Sequence, residues 1–306
     1  MFSTLTGAAK LMLAAVVVLF ALKVAVGMLT GSISIWAQAV DSSLDIFAVV
    51  ITFLTVVFSA KPADREHPFG HGKIENIAAG IQAVLLFIAA ASIIYAAIRR
   101  IMLGATIEMA EAGIAVMLVS MIVSILLSRH LFRVARATDS VALEANAHNI
   151  AADIYSTAGV LVGLTIVRFT GLTIIDPILA VIVAGLILRA TYRVGQTAFG
   201  GLIDTRLPKA EEDEIVSCIR EHTTQLAGFH EVRTRKAGSQ RFIDLHLMLP
   251  KNASLEEAHQ MCDHLEEDIK SRLSNSRVTI HVEPCSVECD QCLVSSCSLR
   301  LDIVLG

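Results

Sequence analysis

For about two hundred residues the chain is apolar in long unbroken runs, without the polar stripe every three to four positions that a solvated helix carries. Six windows, roughly 8–30, 33–59, 75–98, 108–131, 142–168 and 173–197, are long enough to cross a bilayer, which takes about 20 residues as a helix. After Pro208 the pattern changes to helix (209–225), strand (229–236), strand (240–249), helix (254–273) and strand (277–283), with Ser254 and Glu257 spaced as a capping box. Ile243, Leu245, Leu247 and Leu249 alternate inward on the second strand, and Val278, Ile280 and Val282 on the third. His246, His281 and Glu283 then face away from the core and are open to a metal ion. The expected fold is an α-helical membrane protein with six transmembrane helices in residues 1–206, a small α+β domain in 207–284 and a cysteine-containing tail in 285–306.

Composition agrees with a membrane protein that carries a soluble part: 54% of residues are hydrophobic, 18% are charged and the mean hydropathy is +0.64. The first span is not preceded by a strongly basic region or followed by a small-residue cleavage site, so it is expected to stay in the mature protein. Lys61, Arg65 and Lys73 lie in the second connection and Arg129, Arg133 and Arg136 in the fourth, against Arg99 and Arg100 in the third and Arg168 in the fifth. The positive-inside rule therefore puts both termini in the cytoplasm, with the chain multi-pass in the inner (cytoplasmic) membrane. A net charge of −4 gives no case for nucleic acid as a partner. All six cysteines fall on the reducing side, where clustered thiols more often bind metal than form disulfides. Cys285, Cys289, Cys292 and Cys297 form a possible tail metal site, although C-x3-C-x2-C-x4-C is not a zinc-finger spacing; a disordered or redox-reactive tail is the other reading.

Three carboxylates interrupt the apolar windows. Asp41 and Asp45 are four residues apart in the second, about 40° apart on one helix face. In the fifth, Asn149 and Asp153 repeat the spacing, while His148 points about 140° away from Asp153. An ionised carboxylate near the bilayer centre costs on the order of 2.5–3.5 kcal/mol, so such a residue is a functional hypothesis by default. Interhelical hydrogen bonding or pairing with a buried Lys or Arg is the other account. No Lys or Arg lies within these two spans short of Arg168 at the very end of the fifth, which points to an external cation held by Asp41, Asp45, Asn149 and Asp153. In the following loop, "KPADREHPFGHGKIEN", Asp64, His67 and His71 offer the carboxylate and imidazole ligands that suit zinc, iron and related ions, as against an ordinary solvated loop.

The stretches "GSISIWAQAVDSSLDI", "KPADREHPFGHGKIE", "ANAHNIAAD", "GLIDTRLP" and "RFIDLHLML" resemble the cation diffusion facilitators, in particular their bacterial zinc and iron exporters and magnetosome transporters. The resemblance implies a homodimeric, proton-coupled exporter of a divalent metal (Zn²⁺, Fe²⁺ or Mn²⁺), with the metal as substrate and regulator. It carries the transport ligands onto Asp41, Asp45 and Asp153 and a second site onto Asp64, His67 and His71. It implies an interlocking ion pair between Lys73 and Asp204. It also implies that the C-terminal domain is metallochaperone-like, with regulatory ligands at His230, His246, His259, His281 and Glu283. Zinc-transporting relatives have His where this chain has Asn149, and Asp where it has Glu283. An amide oxygen is a harder ligand than imidazole and cannot carry a proton, which favours Mn²⁺ or Fe²⁺ over Zn²⁺ relative to those relatives.

No phosphate loop, nucleotide motif or activated nucleophile is apparent, so an enzyme is not expected. The alternative from a different class is a membrane-bound metal sensor or assembly scaffold that binds metal without moving it.

Overall fold

The computed structural model describes residues 4–30, 33–103, 111–170, 174–222 and 226–285. The chain forms two compact units, residues 1–202 and 203–306.

The first unit holds six long helices: α1 (Leu5–Thr30), α2 (Ile33–Ser59), α3 (Lys73–Leu103), α4 (Glu111–Thr138), α5 (Val141–Thr170) and α6 (Ile175–Leu202). They correspond to the six apolar windows and extend beyond several of them by one to two turns. The α4–α5 connection is tight: Asp139 takes a positive φ of 56°, and the Ser140 hydroxyl accepts from the Leu143 amide at 3.4 Å at the start of α5. Pro177 sits in the first turn of α6, where a missing N–H costs nothing.

The distribution of side chains is the reverse of a soluble bundle. Small residues such as Ala79, Ala90, Ala147 and Ala184 are fully buried between helices, while Phe87, Ile88 and Leu126 are more than half exposed at 57%, 57% and 64%. Close backbone approach through small residues, with large apolar groups outside, is how helices pack in a bilayer. Among the described residues four helical segments are long and apolar enough to span by those criteria alone: Leu5–Val26, Lys73–Arg99, Met117–Thr138 and Pro177–Leu202. Asp45–Ser59 of α2 is a shorter apolar stretch among the described residues, and α5 completes the six helices. These are the two helices on which the sequence placed the intramembrane carboxylates.

In the second unit, helix α7 (Lys209–Glu221) is followed by β1 (Gly228–Ala237), β2 (Gln240–Leu249), α8 (Leu255–Arg272) and β3 (Ser276–Pro284). The sheet order is β1-β2-β3, with β1 antiparallel and β3 parallel to β2, so α8 is the crossover that parallel pairing requires. The core joins Ile215 and Ile219 of α7, Leu265 and Ile269 of α8, and Ile243, Leu245 and Leu247 of β2. Fully burying a side chain of this kind contributes about 1.5–3 kcal/mol. The capping box forms as spaced, with the Glu257 amide donating to the Ser254 hydroxyl at 3.2 Å and the Ser254 amide to the Glu257 carboxylate at 2.7 Å. Two expectations shift: α7 stops at Glu221, capped by His222, and Val282, near the end of β3, is 37% exposed where the cover over that face of the sheet runs out.

Packing of α3 against α6 depends on Gly201. A β-carbon there would collide with the amide of Asn76, which is buried and reaches the Ala198 carbonyl at 3.5 Å. Gly201→Val is expected to destabilise the helical unit by about 1–3 kcal/mol through overpacking. The measurement is the thermal midpoint in detergent, and an Asn76→Ala background should recover part of the loss; an unchanged midpoint would refute this account of the seam.

Candidate metal centre

A cavity of about 320 Å³ lies among α1, α2, α4 and α5, with Asp45, Asn149 and Asp153 in its wall. The i, i+4 spacing on α5 puts Asn149 and Asp153 on one face, and Asp45 meets them from α2. Asp41 belongs to α2, but its side chain lies outside the described residues. Hydroxyls of Ser42 and Ser120 also line the cavity, and the Ser120 oxygen is buried without a hydrogen-bond partner. Carboxylate, amide and hydroxyl oxygens facing one space suit a divalent transition-metal ion of the harder kind. His148 points elsewhere, its ring edge-on to Phe132 with centroids 4.9 Å apart, beside Arg129, Arg133, Arg136 and Arg193.

One residue of the cavity escaped the sequence reading. Lys23 of α1 lines the same space and donates to the Ser42 hydroxyl at 2.6 Å. Counting basic residues only on the helices that carry the carboxylates missed it; the signal was a lone lysine in the apolar run "LFALKVAVG". The cavity therefore has a protein cation of its own, which corrects the inference that its carboxylates have none.

Below the cavity a seam of polar contacts continues between α2, α3 and α5. Gln82 and Asn146 both donate to the Thr52 hydroxyl, at 3.2 and 3.1 Å, and Thr52 in turn donates to the Ala48 carbonyl at 3.2 Å. Further along, the buried carboxylate of Glu75 accepts from Ser140 at 2.7 Å and Ser59 at 3.1 Å.

In the α2–α3 loop the expected ligands converge. His67 Nδ1 is 3.1 Å and His71 Nε2 3.5 Å from the Asp64 carboxylate, and the two rings lie 4.4 Å apart. The His67 backbone N–H, donating at 2.6 Å, leads the causes that hold the Asp64 carboxyl below its ordinary pKa, so it is ionised at neutral pH. His71 Nδ1 is buried without a hydrogen-bond partner. These donors fit a borderline divalent ion.

In the second unit the strand register produces a row of imidazoles. His230 of β1 pairs with His246 of β2, and His246 with His281 of β3, with ring centroids 5.1 and 4.8 Å apart. A β-bulge between His230 and Arg233, with Glu231 at a φ of 50°, sits at the start of the row. Glu283, two residues beyond His281 on the same face, reaches His230 Nε2 at 3.0 Å and His246 Nδ1 at 2.9 Å, with His281 Nε2 at 3.7 Å. Hydrogen bonds from His230 first and His246 second hold the Glu283 carboxyl below its ordinary pKa. Nitrogen and carboxylate donors so placed fit zinc or a neighbouring ion. Glu231, 3.8 Å from His246 Nε2, was not anticipated, because the bulge breaks the alternation from which facing residues are read.

Other expected residues lie apart from these groups. His259 is on α8 beside Asp263 at 3.6 Å and does not join the imidazole row within one chain. The Lys73 amine reaches the Leu202 carbonyl at 3.4 Å, and Asp204, in the second unit, accepts from Arg235 at 3.4 Å. Cys285 is a buried free thiol whose backbone N–H donates to the Leu249 carbonyl at 2.8 Å, whereas Cys289, Cys292 and Cys297 lie outside the described residues.

An oxygen-lined cavity inside an apolar six-helix unit, joined to an α+β domain with surface imidazoles, defines a membrane protein that handles metal cations. Residues 9–203 match the cation efflux transmembrane domain, and residues 207–285 match the cytoplasmic domain of cation efflux proteins. An uncharacterized transporter of Synechocystis sp. is 30% identical over 276 residues, 90% of this chain and 89% of that protein. The cation-efflux pump FieF of Pectobacterium carotovorum is 34% identical over 273 residues, covering 89% of this chain and 90% of the pump. FieF of Salmonella typhi is 35% identical over 258 residues, 84% of this chain and 85% of that protein. The chain belongs to the cation efflux, or cation diffusion facilitator, family.

Removing the ammonium from the cavity should strengthen cation binding, because a positive charge in a low-dielectric space repels the incoming ion. Lys23→Met is expected to raise the affinity of the detergent-solubilised protein for Mn²⁺ or Zn²⁺ at the cavity, read by calorimetry in an Asp64→Ala, His230→Ala background. Equal or weaker binding would show that Lys23 does not act on the site.

Proposed function

We propose that the chain is a secondary active exporter that carries a divalent transition metal (Zn²⁺, Fe²⁺ or Mn²⁺) out of the cytoplasm in exchange for protons. It works as a homodimer in the inner membrane with both termini cytoplasmic. The observation that carries this reading is the cavity that joins Asp45, Asn149 and Asp153 across α2 and α5. A carboxylate in that position is costly unless a cation or a proton neutralises it. Alternation between the two is the chemistry of antiport: metal loads on the ionised carboxylates from one side, and protons replace it on the other. With an amide at position 149, the carboxylates of Asp41, Asp45 and Asp153 carry the returning protons.

Asp64, His67 and His71 form a second metal position in the α2–α3 loop. In the C-terminal domain His230, His246, His281 and Glu283, with His259, are the residues that would hold regulatory metal. Metal there supplies a cross-link between ligands, and a cross-link favours whichever dimer arrangement brings those ligands together. The same row supports a second reading, a membrane-bound sensor or scaffold that binds metal without moving it.

Flux measurement separates the two. In proteoliposomes, Asp45→Ala and Asp153→Ala are each expected to reduce metal-driven proton movement to the level of empty liposomes. Wild-type protein that changes conformation with metal but moves no ions would favour the sensor.

Asn149→His should raise Zn²⁺ flux relative to Mn²⁺ flux, since imidazole suits the softer ion. An unaltered flux ratio would show that position 149 does not set selectivity.

A further inference from the structure

Helices α7 and α8 bring together a second set of metal-binding groups in the C-terminal domain, on a different layer from the imidazole row. We propose that His222, His264 and Asp268 form a separate divalent-metal site on the helix layer of that domain, taking Zn²⁺ or a neighbouring borderline ion.

The argument begins with a proton. His222 caps the end of α7, and its ring Nδ1 lies 3.0 Å from the Cys218 carbonyl oxygen. A carbonyl only accepts, so Nδ1 is the donor of that bond and carries hydrogen. Fixing one ring nitrogen in this way is how metal-ligating histidines are held, with the other nitrogen turned to the ion. That other nitrogen, Nε2, lies 3.2 Å from Asp268 Oδ2. In the neutral ring both are lone-pair acceptors, so a positive species belongs between them, either a second ring proton or a metal ion.

The third group favours the metal. His264 is one turn before Asp268 on α8, on the same face, and its Nε2 lies 3.8 Å from the same Oδ2. The two imidazoles meet edge to face with centroids 5.0 Å apart. Two histidines from two helices converge on one carboxylate oxygen, and the three ligand atoms lie within 4.8 Å of one another, the spacing at which one ion can be shared. Bonds of about 2.0–2.2 Å in tetrahedral geometry put ligand atoms roughly 3.3–3.6 Å apart, so the observed separations need only small rotamer changes.

The surroundings leave these groups available. Arg272, a turn beyond Asp268, forms a 2.6 Å ion pair with Glu221. Burial raises the pKa of the Cys218 thiol, which leaves its carbonyl as the part of that residue that takes a role. The His222 and Asp268 side chains are 14% and 34% exposed and that of His264 58%, so an ion reaches them from solution while two of the three are held in place. The imidazole row is on the other face of the sheet, since Leu245 and Leu247 point to the helices and His246 away from them. All three ligands come from one chain. Metal here staples the end of α7 to α8 without needing a second subunit, so the domain registers metal as a stiffening of its own helix layer.

The test uses the full-length protein in detergent with His230→Ala and His246→Ala to silence the row. Co²⁺ at pH 7.5 is the probe, read by its visible absorption band and by equivalents bound. His264→Gln, at an exposed position, and His222→Gln are each expected to remove one Co²⁺ equivalent per chain, with its share of the band, and the double variant no more than one. If His264→Gln, with its circular dichroism unchanged, binds as many equivalents at the same affinity, the cluster is an ordinary ion pair and the proposal fails. Transport does not enter the measurement, so the outcome is independent of whether the protein exports metal.

Discussion

The constraint on which the first unit depends is the cost of charge in a medium that cannot solvate it. Every intramembrane carboxylate must be neutralised by a proton, a protein cation or a bound ion, and the surrounding helices show the effect. Helices α2 and α5 carry their carboxylates within otherwise apolar runs, and α1, α3, α4 and α6 pack around them. Lys23 brings a positive charge to the cavity from α1, and the hydroxyls of Ser42 and Ser120 share its wall with aliphatic groups.

Much of this was legible in the sequence, for a definable reason. Periodicity and apolar length depend on local chemistry, so the six helices and the strand alternation around Ile243, Leu245 and Leu247 could be read directly. The i, i+4 pairing of Asn149 with Asp153 is equally local. What stayed hidden was non-local. Lys23 meets Ser42 only because α1 packs on α2, and His222 meets His264 across 41 intervening positions through the packing of α7 on α8. The bulge at Glu231 had no clear mark, since neither Gly nor Pro announces it. The alternation rule failed at Val282, where tertiary cover ends before the pattern does.

The two units set metal ligands in opposite electrostatic settings. In the cavity the candidate ligands are carboxylate and amide oxygens set among apolar side chains such as Val49 and Ile150. On the C-terminal domain the ligands are mostly imidazoles beside bulk solvent, where Glu283 is kept ionised by its histidine neighbours. Affinity there comes from donor chemistry and geometry more than from field strength.

The imidazole row is tied to the folding of the sheet in a further way. His230, His246 and His281 line up because three strands pair in one register, and that register is enforced from the opposite face by Ile243, Leu245 and Leu247. Slippage of β2 by one residue would turn its leucines to solvent and its histidine into the core. The aliphatic core therefore acts as a proofreader for the imidazole row: a domain that has packed correctly has, by the same geometry, aligned His230, His246 and His281 on one face, and a misregistered one displays neither.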